Sequence, residues 1–193
     1  VYDYPEEFFK ERIHTIRRPK PDDFQIKEAV DLIKKSKKPI IIAGGGIFYS
    51  DATKELSAFA KKHNIPVTQT VMGYSSIKKD HTHYLGTIGG LGGKAANNLS
   101  KETDTAIAIG TKLADFTTGS WANFENPNFK LVSINAARFD ANKHMAQAIV
   151  GDAKVSLIEL SQGLGNWKAD DSWYKKSRLE LKNWETYVEK ESG

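Results

Sequence analysis

Cysteine is missing from all 193 residues of the chain. Its absence excludes disulfide bonds, thiolate metal sites and a cysteine nucleophile, and it fits a cytoplasmic location. Long hydrophobic runs are missing too, since no segment approaches the ~20 apolar residues that cross a bilayer. The opening "VYDYPEEFFKERIH" carries acids and aromatic side chains where a signal peptide has a basic start and an apolar stretch. We therefore expect a cytoplasmic protein without a membrane partner.

A strong excess of one charge is also absent. The formal net charge is +4, and basic residues gather in "KERIHTIRRPKP" (10–21) and "KKSKKP" (34–39). Acidic residues are interspersed elsewhere, and no aromatic stacking motif accompanies the basic clusters as in nucleic-acid-binding proteins. A solvated surface explains these clusters better, so we expect no nucleic-acid partner. With 39% hydrophobic residues, the composition is typical of one globular domain with appendages.

Strand and helix patterns alternate along residues 22–165. Asp22 or Asp23 is placed to cap a first helix, and Ser50 and Asp152 are placed to cap two later ones. Alternation with short loops predicts an α/β doubly wound, Rossmann-like domain, in which helices cover both faces of a mostly parallel sheet of five to six strands. The expected strands are "PIIIA" (39–43), "IPVTQTV" (65–71), "TAIAIG" (105–110), "KLVSI" (130–134) and "AIV" (148–150).

The two ends of the chain differ from this central domain. Residues 1–21 have the prolines and charges of an extended linker from a preceding domain. Its apolar side chains Phe8, Phe9, Ile13 and Ile16 are available to lie against another surface.

Residues 166–193 are predicted to form an amphipathic helix or linker towards a following domain. Its apolar stripe consists of Trp173, Leu181, Trp184 and Val188. The stripe either covers the domain's own sheet or docks on other domains or a second subunit, and the second interpretation is slightly favoured.

The segment "PIIIAGGGIFYS" raises the question of a nucleotide-binding loop. Ligands bind parallel sheets beyond the carboxyl ends of the strands, and Gly44, Gly45 and Gly46 directly follow such a strand. A dinucleotide fingerprint would need a third glycine at Tyr49, and no acidic residue ends the next strand to bind a ribose. These departures argue against a self-contained NAD-dependent dehydrogenase. We expect the glycines to form a tight turn that keeps a weak anion site on backbone N–H groups.

Four longer segments follow one another in the order and spacing of a known family. They are "KKPIIIAGGG", "KKHNIPVTQTVMGYSSIKKDHTHYLGTIG", "TDTAIAIGTKLADFTTG" and "IVGDAKVSLIEL". They resemble the central domain of thiamine-diphosphate-dependent enzymes, in the group of acetohydroxyacid synthase and pyruvate oxidase. Within that group, "GSW-x-x-F-x-N-P" and "N-x-x-x-FDA-x-KH" are similar to the ring-opening hydrolases of myo-inositol breakdown.

The resemblance implies that the chemistry lies outside this segment. Family members carry an activating glutamate in an N-terminal domain and bind diphosphate and Mg²⁺ through a Gly-Asp-Gly motif in a C-terminal domain. It implies a parent hydrolase that opens trihydroxycyclohexane-1,2-dione to 5-deoxyglucuronate, with thiamine diphosphate and Mg²⁺ bound by domains absent here. No catalytic or metal-binding residue is expected in this chain, and the fragment alone is expected to be inactive. The implied partners are the flanking thiamine-binding domains, in a homodimer or homotetramer.

Some family members bind FAD or ADP in this domain, where the strand equivalent to "KLVSI" leads into an Ile-Asp-Ile-Asp pattern. Asn135 and Ala137 occupy the acidic positions here, which argues against a tightly held adenine nucleotide. Thr111, Asp115 and Thr117 are placed to contact a ligand, although Asp115 is equally suited to cap its own loop.

The candidate cofactor-binding residues are therefore those of a weak vestigial nucleotide or anion crevice, Gly44, Gly45, Gly46, Thr111 and Asp115. Two alternatives stay open at this point. One is an FAD- or ADP-binding central domain of an acetolactate-synthase-like carboligase. The other is a stand-alone nucleotide-binding or interaction domain.

Three weaker motifs receive structural interpretations. "GDA" (151–153) lies about as far before Asn183 as the Gly-Asp-Gly motif lies before its asparagine in the family. However, Ala153 replaces the second glycine, and Asp152 stands where a helix needs a cap, so we interpret the motif as structural. "DHTHY" (80–84) is assigned to a surface loop with a structural His81 rather than to a metal pair. "GTIGGLGG" (86–93) is expected to be a loop that lines the ligand crevice.

Overall fold

The computed structural model describes residues 2–192 as a six-stranded sheet with helices around it. The strands are β1 Pro39–Ala43, β2 Val67–Gln69, β3 Tyr84–Thr87, β4 Thr105–Ile109, β5 Lys130–Asn135 and β6 Gln147–Val150. The helices are α1 Asp23–Lys35, α2 Gly46–Tyr49, α3 Thr53–His63, α4 Lys94–Glu102, α5 Asp115–Thr118, α6 Arg138–Ala141, α7 Ala153–Leu164 and α8 Asp171–Ser192. None of these described helices combines the length and the apolar composition that crossing a bilayer requires.

All strands are parallel, in the order β3-β2-β1-β4-β5-β6. The central strands β1 and β4 are completely buried, as strands with helices on both faces must be. The predicted doubly wound α/β class is therefore confirmed.

Strand β3 was not among the expected strands. Gly86 and Thr87 belong to this strand, whereas the sequence analysis predicted that they lie in a crevice-lining loop. Ile88 is the residue of that segment that lines the crevice described below. The strand escaped prediction because it is four residues long, contains a glycine and lies at the sheet edge, where it is only partly buried.

Alternate residues of the central strand β1 face two separate cores. Ile41 and Ala43 pack on the side of α1, α3 and α7, whereas Ile40 and Ile42 pack on the side of α4 and α8. This alternation follows from the two-residue period of a strand, and it gives the sheet a helical layer on each face.

Two of the predicted helix caps are present, and one is wrong. Asp22 accepts hydrogen bonds from the backbone N–H groups of Phe24 (2.9 Å) and Gln25 (3.3 Å) and so caps α1. Asp152 caps α7 in the same way. Ser50 does not cap α3, which begins at Thr53, because the short helix α2 occupies the preceding residues and places Ser50 at its end.

The C-terminal helix α8 packs on its own domain. Trp173 and Leu181 are buried in the core on the α4 side, and the indole N–H of Trp173 donates to the carbonyl of Pro39 at 2.8 Å. Trp184 packs on the same core and lies against Gly93. The favoured interpretation of this stripe as a docking face is therefore wrong for Trp173 and Leu181, because they are buried against the sheet, whereas Trp184 is only partly buried. Val188, near the helix end, is exposed.

Residues 2–20 are exposed and mostly irregular, with one short 3-10 helix at Glu6–Phe9. This segment is the expected linker, whose residue 1 lies outside the described residues. Its connection to a preceding domain stays a prediction.

Candidate functional site: a crevice at the carboxyl edge of the sheet

The crevice lies where the order of the strands reverses. The chain leaves β1 towards β2 on one side and leaves β4 towards β5 on the other, so the connections that follow β1 and β4 run in opposite directions along the sheet. Such switch points are the usual ligand sites of open α/β sheets. A cavity of about 950 Å³ occupies this position, and it is lined by the loops after β1, β2, β4, β5 and β6.

The glycines after β1 and β4 bring the two loops into backbone contact. The N–H of Gly46 donates to the carbonyl of Gly110 at 2.9 Å, and the N–H of Gly44 donates to the carbonyl of Ile109 at 2.8 Å. A methyl group added at Gly46 would lie 2.5 Å from the Cα of Gly110. The tight approach explains the glycines without a ligand.

The same hydrogen bonds bear on the expected anion site. The N–H groups of Gly44 and Gly46 point at backbone carbonyls, and those of Ile47 and Phe48 donate to the carbonyls of Gly44 and Gly45. Four of the N–H groups at this turn are thus used within the protein. Ligand binding at the glycine loop stays a prediction, and this geometry leaves few backbone donors for it.

The other predicted residues divide between the crevice and the surface. Gly45, Gly46, Thr111 and Thr117 line the cavity, whereas Gly44 does not. Asp115 is exposed and lies outside the cavity, as the first residue of α5. Its backbone carbonyl, rather than its carboxylate, closes the turn by accepting from the N–H of Gly119 at 2.8 Å.

Asn135 ties two crevice loops together. Its side-chain amide donates to the carbonyl of Thr111 at 3.3 Å, and its Oδ1 accepts from the N–H of Ala137 at 2.9 Å. Flavin-binding relatives were expected to carry a ribose-binding acid at this position. In this chain, Asn135 makes internal contacts there instead.

Several crevice residues were not predicted from the sequence, among them Arg17, Met72, Lys112, Phe116 and Asp140. Lys112 and Phe116 lie in the segment "GTKLADFTTG", so their position after a buried strand was the available signal. Arg17 comes from the linker, more than ninety residues from that segment, and no local pattern indicates such a contact. Asp140 forms an ion pair with Lys143 at 2.7 Å.

The crevice does not fit thiamine diphosphate with its magnesium ion. Within residues 2–192, no group of three or more His, Asp or Glu side chains is arranged to hold a metal ion. Asp152, in the motif that resembles Gly-Asp-Gly, is engaged as a helix cap through hydrogen bonds from Lys154 (3.0 Å) and Val155 (3.2 Å).

The histidine pair is structural, with the roles different from those expected. His83, rather than His81, is the buried member, with 6% of its surface exposed. Its Nε2 lies 3.1 Å from Asn64 Oδ1, and its ring is 4.6 Å from that of Tyr174. Burial, followed by the charge of His81, lowers the pKa of His83 to about 4. The assignment to a structural loop rather than a metal pair fits these contacts.

Comparison with known proteins defines the class of this domain. Residues 26–160 match the family described as thiamine pyrophosphate enzyme, central domain. The chain belongs to this family, as its sequence motifs indicated.

Three relatives carry one name, 3D-(3,5/4)-trihydroxycyclohexane-1,2-dione hydrolase. The chain is 46% identical to that of Clostridium perfringens (strain 13 / Type A) over 160 residues, which cover 83% of this chain and 25% of the relative. It is 44% identical to that of Clostridium tetani (strain Massachusetts / E88), over 85% of this chain and 26% of the relative. It is 42% identical to that of Bacillus thuringiensis (strain Al Hakam), over 83% of this chain and 25% of the relative. The chain thus spans about a quarter of the length of these relatives.

Proposed function

We propose that this chain is the non-catalytic central domain of a thiamine-diphosphate-dependent hydrolase that acts on a carbon–carbon bond. The parent would open trihydroxycyclohexane-1,2-dione to 5-deoxyglucuronate in myo-inositol catabolism, in the cytoplasm. The observation that carries the proposal is the identity of 42–46% with relatives named for this hydrolysis, over more than four fifths of the chain. Membership of the thiamine pyrophosphate enzyme family supports the cofactor.

The role of a spacer and crevice wall is consistent with the contacts in the crevice. The glycine loop holds β1 against β4, and Asn135 links the loops after β4 and β5. These groups are engaged in the fold, so they are poorly placed to act on a substrate. We therefore assign thiamine diphosphate, Mg²⁺ and the reacting groups to other parts of the parent.

The partners that we propose are the flanking thiamine-binding domains, within a homodimer or homotetramer. Large apolar side chains surround the mouth of the crevice and are exposed in the described chain; Tyr49 and Met72 are 79% and 78% exposed. Further exposed examples, in the segments that follow β2, β3, β4 and β5, are Tyr74, Leu91, Phe116 and Phe139. Exposed apolar groups in such number favour burial against another protein surface.

The test compares the protein encoded by the complete reading frame with residues 1–193 alone. Both are assayed with the cyclic dione, thiamine diphosphate and Mg²⁺, by following formation of the open-chain acid. We expect turnover by the longer protein and none by the shorter one. Turnover by residues 1–193 alone would refute the non-catalytic role. A longer protein that ignores the dione and instead joins two pyruvate molecules would refute the substrate.

The size and position of the crevice favour a second candidate, a domain that binds FAD or ADP in a carboligase. A cavity of about 950 Å³ at the switch point is large enough for a nucleotide. Titration calorimetry of residues 1–193 with FAD and with ADP separates the two candidates. Tight binding of FAD, with a visible flavin spectrum in the purified parent, would replace the first proposal by the second.

A further inference from the structure

The carboxylate of Asp152 joins three distant parts of the chain. Its Oδ1 caps α7, whereas its Oδ2 accepts a hydrogen bond from the hydroxyl of Ser50 at 2.6 Å and from the guanidinium of Arg18 at 3.1 Å. Asp152 is 5% exposed. A buried carboxylate is costly unless it is paired and hydrogen-bonded, and Arg18 is the cation paired with this one.

The contact with Arg18 is part of a wider docking of the linker. We call residues 16–21 the strap. The backbone N–H of Asp152 donates to the carbonyl of Pro19 at 2.9 Å, and Arg18 also donates to the carbonyl of Ser50. Pro21, at the end of the strap, is buried against Gly151, since a methyl group at Gly151 would lie 3.0 Å from its ring. These contacts hold the strap at the start of α7.

The docked strap forms one side of the crevice. Ile16, Arg17 and Pro19 line the cavity, together with residues of the loops that follow β2 and β4. Ser50, the residue that joins the strap network from the glycine-loop side, ends α2 and lines the cavity as well. The linker and the first crevice loop therefore meet at one carboxylate.

We propose that the strap is a removable wall of the crevice and that the ion pair between Arg18 and Asp152 is its latch. With the latch closed, the strap encloses the side of the cavity next to α7. With the latch open, residues 16–20 leave that side to solvent, while the sheet, the glycine loop and the cap of α7 stay in place. The position of whatever precedes the linker is thereby coupled to access to the crevice.

The first test measures hydrogen exchange of the Asp152 amide, whose N–H is bonded to the strap carbonyl of Pro19. The variant is Arg18→Ala, and the matched control is Arg12→Ala, which removes an exposed arginine from the same linker outside the strap. Loss of a charge-assisted hydrogen bond is expected to raise the exchange rate of this amide by roughly tenfold in Arg18→Ala and to leave it unchanged in Arg12→Ala. Equal rates in the two variants would overturn the latch.

The second test asks whether the strap covers the crevice. Ala153 lines the cavity and is buried. Because the chain has no cysteine, Ala153→Cys supplies a single thiol without background. Its reaction with a water-soluble disulfide reagent is expected to accelerate by roughly tenfold when Arg18→Ala is added, and not when Arg12→Ala is added. If the Asp152 amide exchanges faster but the thiol is not labelled faster, the ion pair holds the strap but the strap does not cover the crevice. That result would overturn the proposal.

Discussion

The contact between the glycine loop and the loop after β4 can be tested by adding one methyl group. In Gly46→Ala, the new Cβ would lie 2.5 Å from the Cα of Gly110 and 3.1 Å from its carbonyl oxygen. Both neighbours are backbone atoms, so no side chain can rotate away. Gly110 has a φ of +60°, a left-handed conformation that glycine adopts readily and other residues adopt at a cost. The two loops must therefore separate by about 1 Å to restore an ordinary carbon–carbon contact.

The expected loss of stability has two parts. Overpacking of a rigid contact costs roughly 1–3 kcal/mol. Separation of the loops also weakens the hydrogen bond from the N–H of Gly46 to the carbonyl of Gly110, now 2.9 Å long, which contributes about 0.5–1.5 kcal/mol. Together they predict a decrease of roughly 2–4 kcal/mol in the free energy of unfolding. For a domain of this size that corresponds to a fall in Tm of about 5–15 °C.

The assay is urea unfolding followed by tryptophan fluorescence, together with thermal unfolding followed by circular dichroism. Gly90→Ala is the matched control, because a methyl group there would meet the ring of Phe116 at 3.4 Å, an ordinary contact with a side chain. We expect that control to change stability by less than about 0.5 kcal/mol. If Gly46→Ala proves as stable as Gly90→Ala, the close approach of the two loops does not require glycine at position 46, and the reasoning is refuted.

Two further predictions concern other parts of the fold. Trp173→Phe leaves the carbonyl of Pro39 without its 2.8 Å donor, so we expect thermal unfolding to show a decrease of about 1–3 kcal/mol in the free energy of unfolding; an unchanged Tm would mean that this hydrogen bond does not stabilise the fold. For His83, the pKa rises from about 4 in the folded protein to 6.5 in the unfolded chain, so the unfolded chain binds the proton first as the pH falls. Between pH 7 and pH 5, urea titrations should therefore show that the free energy of unfolding falls by about 2 kcal/mol more in the unmodified protein than in His83→Gln. Equal decreases in the two proteins would contradict the assignment of this pH dependence to His83.

The fold was predictable because its main elements carry strong local patterns. "PIIIA" and "TAIAI" are short β-branched runs buried on both faces, and the structure places them at the centre of the sheet. The doubly wound order follows from the alternation of strands and helices. Strand β3 lacked such a pattern because an edge strand needs less burial. Its existence depends on the neighbouring strand β2 rather than on its own residues.

Only some of the crevice residues were predictable from the sequence, and the difference between the predicted and the missed residues has a physical cause. Residues directly after a buried strand reach the carboxyl edge by topology alone, and this is how Gly45, Gly46 and Thr111 were identified. The strap residue Arg17 reaches the same cavity by a long-range contact, which no spacing in the sequence encodes. Asp115 had a suitable position in its loop, but the turn of α5 directs it to solvent, and the direction of one residue in a short turn is not a sequence signal.

The helix cap that the sequence predicts at Asp152 explains only one of its two carboxylate oxygens. The sequence identified its cap, and a cap uses one carboxylate oxygen, Oδ1. In a buried residue the second oxygen also requires donors, because an unpaired buried charge is far more costly than a paired one. A buried capping aspartate therefore predicts that a cation or hydroxyl from elsewhere in the chain lies against it. The sequence cannot choose among its 28 lysines and arginines, whereas the fold brings Arg18 and Ser50 to Oδ2. What looked like an isolated helix cap is for this reason the point at which the linker is fixed to the domain.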